Sequence, residues 1–149
     1  MIVGDAGPGL EDLPAQLKAQ VASTCPVEYF TFLPFINDVW PVWFGTDIAV
    51  VPSTEPEPFG MVAIEAMAAG VPVIAAAHGG LLDIVVDEET GLLFSPRRST
   101  TLADALERLV SDDKLRKSLG SAGSKRQQQC FSVESQVDRT LGVYKEMLE

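Results

Sequence analysis

The sequence predicts an α/β fold with a Rossmann-like, doubly wound parallel sheet. Residues 48–51 and 71–77 are apolar without alternation, as in parallel strands that helices cover on both faces. Strand and helix patterns alternate through residue 94, which favours parallel strands joined by helical crossovers. Because the sequence contains no internal repeat, low-complexity segment or linker, we expect one domain over residues 1–149.

The first part of the chain predicts two strands and one helix. Residues 1–3 form a strand candidate, and a glycine-rich turn of residues 4–9 follows. This turn lacks the full G-x-G-x-x-G spacing, so a tight strand-to-helix connection is favoured over a phosphate-binding loop. Residues 10–24 carry a helical apolar stripe. The aromatic and apolar residues 27–33 predict the second strand.

The middle of the chain predicts a short helix, two strands and a central helix. Residues 36–45 contain two tryptophans, which favour a core or interdomain face over sugar stacking. The strand of residues 48–51 leads through a loop to a helix of residues 61–69, which Gly70 ends. The fully apolar strand of residues 71–77 comes next.

The last part of the chain is predominantly helical. Residues 78–80 turn into a short helix of residues 81–86, and residues 92–94 form the last strand. From Ser99 onward the pattern is helical, with Ser132 as the N-cap of a final helix. Its apolar residues recur every three to four positions.

Composition excludes several classes of function. The chain has 11 basic and 21 acidic residues and a net charge of −10, which disfavours nucleic-acid binding because that affinity depends on cationic contacts to phosphate. An anionic ligand would have to be held by backbone N–H groups and helix N-termini. We expect no metal site, since no Asp-x-Asp occurs, and no cofactor.

The same sequence features predict a cytoplasmic protein. No apolar run reaches the roughly 18 residues that span a bilayer. The N-terminus has no basic region followed by a long apolar core, so we expect no signal peptide. Cys25 and Cys130 have no metal-type spacing and favour reduced thiols over a disulfide.

One loop and the helix after it concentrate the residues that could carry chemistry. Glu57 lies among Pro52, Pro56 and Pro58, and prolines stiffen a loop at little entropic penalty. From the residues alone, glutamates near a helix start are best interpreted as surface charge that favours the helix dipole.

The helix start offers a second interpretation of this stretch. Phe59 could shield a pocket from water, and Gly60 lets a ligand approach the backbone. The N–H groups of Gly60, Met61 and Val62 are free donors suited to a phosphate. Glu65, the fifth residue of the predicted helix, could accept hydrogen bonds from a vicinal diol such as a ribose.

Residues 57–73 resemble the signature of retaining glycosyltransferases of family 4, E-x-F-G-x-x-x-x-E-A-M-A-x-G-x-P-V. Pro52 and Ser53 match the strand end that precedes this signature. Similarity extends over nearly the whole chain, at residues 2–8, 27–34, 46–48, 79–80, 83–85, 90–93 and 131–132. The resemblance implies the C-terminal, donor-binding domain of a GT-B fold, which consists of two Rossmann-like domains.

The resemblance also implies roles for individual residues. Glu57 would be the catalytic residue, bonded to the hydroxyls of the donor sugar near its anomeric centre. Glu65 would bind the ribose, and His78 is a loop residue at a position that varies in the family. The remaining predicted contacts are backbone groups that face the sugar and diphosphate and residues that lie against the base: Phe59, Gly60, Met61 and Val62 for the former, and Phe32, Leu33 and Pro34 for the latter.

By the same resemblance, the domain is expected to be incomplete. The family's first strand and helix, with an arginine and a lysine that neutralise the diphosphate, would precede Met1. We therefore expect the isolated chain to be inactive and its sheet edges to favour association. Its partners would be a nucleotide sugar and either a separate N-terminal acceptor domain or a second copy. The alternatives are a non-catalytic nucleotide-sugar-binding module and an inactive fragment. The donor base, the sugar and the acceptor stay open.

Overall fold

A computed structural model describes residues 1–7 and 9–148 of the chain. Pro8 of the predicted glycine-rich turn and Glu149 of the predicted helical C-terminal region lie outside the described residues. The chain divides into two compact units, Met1–Val39 and Trp40–Glu149. Within the described residues, the strands pair in two parallel sheets, one of two strands and one of three.

The described part of the first unit contains two short strands and one helix, which are β1 (Ile2–Val3), α1 (Leu13–Thr24) and β2 (Phe32–Leu33), with a 3-10 turn at Val27–Tyr29. β1 and β2 are parallel, with Ile2 opposite Phe32. α1 begins three residues later than its apolar stripe predicts. The residues before it form a turn, which is closed by the hydrogen bond from Leu13 N–H to the Leu10 carbonyl at 2.9 Å.

The prediction of a strand over residues 27–33 is wrong for its first half. Pro26, at φ −57°, leads the chain into the 3-10 turn. Tyr29 in that turn is 77% exposed, so the aromatic content of this segment does not reflect a buried strand. Only Phe32 and Leu33 form β2.

The second unit alternates strands and helices before a helical C-terminal region. Its elements are α2 (Trp40–Phe44), β3 (Ala49–Val51), α3 (Met61–Ala68), β4 (Val73–Ala76), α4 (Leu81–Ile84), β5 (Leu92–Phe94), α5 (Ser99–Ser111), α6 (Asp113–Cys130) and α7 (Val133–Leu148). β4 lies between β3 and β5 and is parallel to both. The predicted parallel α/β arrangement is therefore confirmed.

The core of the second unit surrounds β4, all of whose residues are buried. α3 places Ala63, Ala66 and Met67 in this core and packs against α6. Gly70, at φ +75°, follows the end of α3, as the sequence predicts. Gly123 of α6 lies against Met67, since an added Cβ there would come 3.4 Å from Met67 Cγ. α3 is therefore fixed on the side that faces the core.

The helix predicted over residues 36–45 is shorter than expected. Only Trp40–Phe44 is helical. The rings of Trp40 and Phe44 stack with centroids 6.1 Å apart, and Trp43 packs against the core.

The last helix lies on the surface of the second unit. The Ser132 hydroxyl accepts a hydrogen bond from Ser135 N–H at 3.1 Å, so the predicted N-cap is confirmed. Among the described residues of α7 none is buried. In the part of the chain that the structure describes, no helix is both long and apolar enough to cross a membrane.

Candidate functional site

The loop after β3, residues 52–60, and the loop after β4, residues 77–80, lie at the carboxyl edge of the sheet. This is where ligands of doubly wound sheets bind. The backbone N–H of Gly80 donates to the Glu57 carbonyl at 2.8 Å. The two loops are therefore joined at the residue that the sequence singles out.

Two glycines allow this close approach. A Cβ on Gly79 would lie 2.5 Å from the Glu57 carbonyl oxygen, and one on Gly80 would lie 2.5 Å from the Phe59 carbonyl oxygen. Gly79 also has φ +58°, a conformation that side chains disfavour. The main chain of Glu57 is held against a surface that only glycine can form.

The start of α3 is formed by Gly60. This residue has φ +111° and ψ 48°, and a Cβ there would lie 2.8 Å from Leu81 Cδ2. Among the residues that the structure describes, the N–H groups of Gly60, Met61 and Val62 have no protein acceptor. Free N–H groups at the positive end of a helix can bind an anion.

Two carboxylates lie on either side of these donors in the sequence. Glu57 is half-buried, and its Oε2 accepts a hydrogen bond from Ser53 Oγ at 3.2 Å. Glu65 is also half-buried, and within the described residues its carboxylate has no hydrogen-bond or ion-pair partner. Both carboxylates retain acceptor capacity for the hydroxyls of a ligand.

Apolar side chains border the same segment. Phe59 is 50% exposed and Met61 is 55% exposed. Val62 is 44% exposed, and it shares a helix face with Glu65 because the two lie three residues apart. The segment therefore presents apolar surface next to unpaired polar groups, a combination typical of ligand sites.

The predicted site residues fall into two sets. Those on the loop and α3 lie on one continuous segment of the second unit: Glu57, Phe59, Gly60, Met61, Val62 and Glu65. Phe32, Leu33 and Pro34 belong to the first unit and line a cavity of about 350 Å³ there. Lys18 Nζ lies 5.6 Å from the centroid of the Phe32 ring in this cavity.

Two further residues at the carboxyl edge are absent from the sequence-based site. His78 Nε2 donates to the Ser53 carbonyl at 2.7 Å, although the sequence indicates only a loop residue at position 78. Arg97 is 67% exposed and pairs with Glu55. Both contacts join distant segments of the chain. The only available signal was the placement of all these segments after strands of one sheet.

An ion pair on the surface of the second unit shifts the pKa of one carboxyl. Hydrogen bonds from the Arg108 guanidinium, at 2.6 and 2.7 Å, lower the pKa of the exposed Glu88 carboxyl. Within residues 1–7 and 9–148 there is no group of three or more His, Cys, Asp or Glu residues that could hold a metal ion.

Known proteins resemble this chain in sequence and in architecture. The D-inositol 3-phosphate glycosyltransferase of Nocardioides sp. is 37% identical over 152 residues, which covers 97% of this chain and 33% of the relative. The chain spans about a third of the length of the curated relatives it matches.

Solved structures also resemble this chain, both in fold and in sequence. HepE of Anabaena, crystallised with UDP, superposes with a TM-score of 0.87 at 32% identity, over 95% of this chain and 40% of HepE. HepE has also been crystallised with UDP-glucose. The C-terminal domain of LpcC from Francisella tularensis, a glycosyl transferase group 1 family protein, gives a TM-score of 0.74 at 33% identity, over 88% of this chain and 69% of that domain.

The family match covers most of the chain. Residues 1–126 match the family described as glycosyl transferases group 1. That range includes the loop after β3, all of α3 and both glutamates. The chain belongs to the glycosyl transferases group 1 family.

Proposed function

We propose that the chain is the donor-binding half of a retaining glycosyltransferase of family 4. The enzyme would transfer a sugar from a nucleoside-diphosphate sugar to an acceptor. The observation that carries this proposal is the start of α3, where the free N–H groups of Gly60, Met61 and Val62 lie between Glu57 and Glu65 in sequence. Phosphate needs such donors, and sugar hydroxyls need such acceptors.

Each group has a distinct role in this proposal. The N–H groups at the start of α3 bind diphosphate oxygens, and the helix dipole adds to their attraction. Glu65 accepts hydrogen bonds from the ribose hydroxyls. Glu57 accepts hydrogen bonds from the donor sugar near its anomeric centre, and Phe59 excludes water from the sugar.

The base contact is proposed separately. Phe32, Leu33 and Pro34 are half-buried or exposed residues that border the cavity of the first unit, and aromatic and apolar surface suits a nucleotide base. Replacing Phe32 by Ala is expected to lower the binding affinity for every nucleotide to a similar extent in calorimetric titrations. An unchanged affinity would contradict this contact.

Turnover is proposed to require a further domain. Departure of a nucleoside diphosphate needs stabilisation of its developing charge, whereas this chain carries a net charge of −10. Arg97, at the carboxyl edge, is already paired with Glu55. The isolated chain is therefore expected to bind nucleotide sugar without transferring it at ordinary rates. A transferase assay on the isolated chain checks this, and ordinary turnover would contradict it.

We also propose a cytoplasmic location. Cys25 and Cys130 are free and half-buried, which suits a reducing compartment. Fractionation of cells that contain the native protein tests this, and recovery from an oxidising compartment would contradict it.

Calorimetric titration of the purified chain tests donor binding. We expect heat with at least one of UDP, GDP and ADP. Glu65→Ala is expected to weaken that nucleotide about tenfold or more, because hydrogen bonds to a charged group contribute about 1.5–3 kcal/mol. Glu57→Ala is expected to lower the binding affinity for the nucleotide sugar and to leave the affinity for the nucleotide nearly unchanged.

A matched control separates these effects from net charge. Glu107 lies on the surface of α5, and Glu107→Ala removes the same charge far from α3 in sequence. Its nucleotide affinity is expected to equal that of the wild type. Absence of heat with all of the nucleotides and nucleotide sugars would overturn the proposed function.

The second candidate is a non-catalytic nucleotide-sugar-binding module. The net charge and the engaged Arg97 favour it, since both leave the leaving group poorly neutralised. Assays of the chain together with its complementary acceptor domain discriminate the two. Transfer that Glu57→Ala abolishes supports the enzyme, and binding without transfer supports the module.

A further inference from the structure

One side chain joins the two loops at the carboxyl edge of the second unit. His78 Nε2 lies 2.7 Å from the Ser53 carbonyl oxygen, across 25 residues of sequence. A carbonyl oxygen only accepts hydrogen bonds, so the proton of this bond belongs to Nε2. The bond fixes the backbone of Ser53 to the loop after β4.

Ser53 in turn contacts the carboxylate of Glu57. Its hydroxyl donates to Glu57 Oε2 at 3.2 Å, and this is the one side-chain partner that the Glu57 carboxylate has among the described residues. The hydroxyl and the carbonyl belong to the same residue. Fixing the carbonyl therefore restricts the direction from which the hydroxyl approaches Glu57.

The other contacts of Glu57 act on its main chain. Gly80 N–H donates to the Glu57 carbonyl, and the backbone of Gly79 leaves no room for a Cβ beside Glu57 N and O. These contacts fix where the residue lies but leave its side-chain torsions free. Within the described residues, the orientation of the carboxylate depends on Ser53.

We propose that His78 is a positioning residue that orients the Glu57 carboxylate through Ser53. The proposal rests on the function proposed above, in which Glu57 binds the donor sugar. His78 itself makes no contact with substrate in this account. Loss of its hydrogen bond lets Ser53 rotate, and the carboxylate then no longer presents its free oxygen to the sugar hydroxyls.

His78→Gln and His78→Asn both introduce a polar amide. Comparing them shows whether the hydrogen bond to Ser53 matters or only a polar side chain at position 78. The side-chain nitrogen of Gln extends as far from the backbone as His Nε2, whereas that of Asn reaches only as far as Nδ1. His78→Gln can restore the bond to the Ser53 carbonyl, and His78→Asn cannot. His78→Ala removes the side chain altogether.

The first measurement compares UDP and UDP-glucose affinities of the full chain by calorimetry. We expect His78→Ala and His78→Asn to lower the affinity for UDP-glucose relative to UDP by about threefold to tenfold, as for the loss of one hydrogen bond. His78→Gln is expected to restore the ratio. Ser53→Ala is expected to have the same effect as His78→Ala, and the double variant no more than either.

A loss of stability alone would not reproduce this pattern. Thermal unfolding of each variant measures any structural effect of His78, which would change UDP and UDP-glucose affinities together. An affinity ratio that stays at the wild-type value in His78→Ala, while Glu57→Ala changes it, would overturn the proposal.

A second measurement needs no ligand. Carbon relaxation of the Glu57 side chain by NMR is expected to show greater mobility in His78→Ala and His78→Asn than in the wild type and His78→Gln. Equal mobility in all four proteins would overturn the positioning role. If the wild type binds neither UDP nor UDP-glucose, the comparison uses GDP or ADP, whichever binds, and the matching nucleotide sugar. If none of these ligands binds, the proposed function fails, and the relaxation measurement still decides the role of His78.

Discussion

The two units of the chain share an α/β pattern but differ in how much of it they bury. In the second unit every residue of β4 is buried, and Met67 and Leu109 are fully enclosed. In the described part of the first unit, Val21 is the one buried apolar side chain, at 9% exposure. Burial of apolar area is the main stabilising term in folding. The second unit therefore contains its own source of stability.

The strands of the first unit show that an apolar sequence does not by itself produce a buried, stable sheet. β1 and β2 have two residues each, and Ile2 and Val3 are 39% and 38% exposed. Two-stranded sheets are at best marginally stable without further packing. We infer that the first unit opens locally at a lower free energy than the second.

Matched leucine substitutions are expected to give the largest difference between the two units in the loss of unfolding free energy. Leu109 is fully buried, and Leu109→Ala is expected to reduce the free energy of unfolding by about 2–5 kcal/mol. Leu17 on α1 is only half-buried, and Leu17→Ala is expected to cost less than about 1 kcal/mol. Urea denaturation followed by circular dichroism measures both. Equal losses would contradict the difference in core between the units.

Matched glycine substitutions test close packing inside the second unit. A Cβ on Gly120 of α6 would overlap the backbone carbonyl oxygen of Gly70, so Gly120→Ala is expected to destabilise by about 1–3 kcal/mol. Gly142 of α7 has no atom within 4 Å of such a Cβ. Gly142→Ala is expected to be neutral or to stabilise by up to about 1 kcal/mol. Thermal unfolding compares the two, and a stable Gly120→Ala variant would show that α6 is not tightly packed against Gly70, in the turn after α3.

The ion pair between Glu88 and Arg108 is expected to have the smallest effect. The hydrogen bonds from Arg108 lower the pKa of Glu88, so their stabilisation is present above the ordinary pKa of a glutamate and is lost as the pH falls through the lowered value. Both side chains are about half exposed, which limits the contribution to less than about 1 kcal/mol.

The pH dependence of this pair can be isolated by substitution. Arg108→Ala is expected to reduce the free energy of unfolding slightly at neutral pH and not at acidic pH. Arg139→Ala, on the exposed face of α7, serves as the charge control. A loss that is equal at both pH values would refute the pKa-linked origin of the effect.

The sequence predicted the second unit better than the first for a physical reason. Continuous apolar runs predicted β3, β4 and β5 to within two residues at each end, because buried parallel strands need apolar side chains on both faces. The same reasoning failed over residues 27–33, where Tyr29 lies in an exposed 3-10 turn. An apolar pattern in the sequence predicts buried side chains only where the fold has a core in which they can pack.

The site was predictable as a segment but not as a set of contacts. The resemblance of residues 57–73 to the family signature predicts Glu57 and Glu65 as site residues, and the sequence predicts Gly60 as the place where a ligand can approach the backbone. The bond from His78 to Ser53 and the fit of Gly79 and Gly80 against the loop after β3 depend on tertiary structure. No local spacing in the sequence encodes them.

Hydrogen exchange of the full chain with and without UDP tests the central claim most directly. Without ligand, amides of β4 are expected to exchange far more slowly than those of β1 and β2. Saturating UDP is expected to slow exchange further in peptides that cover residues 60–65, where α3 begins. Unchanged exchange in those peptides while UDP binding saturates would contradict the assignment of the α3 N-terminus as the donor site.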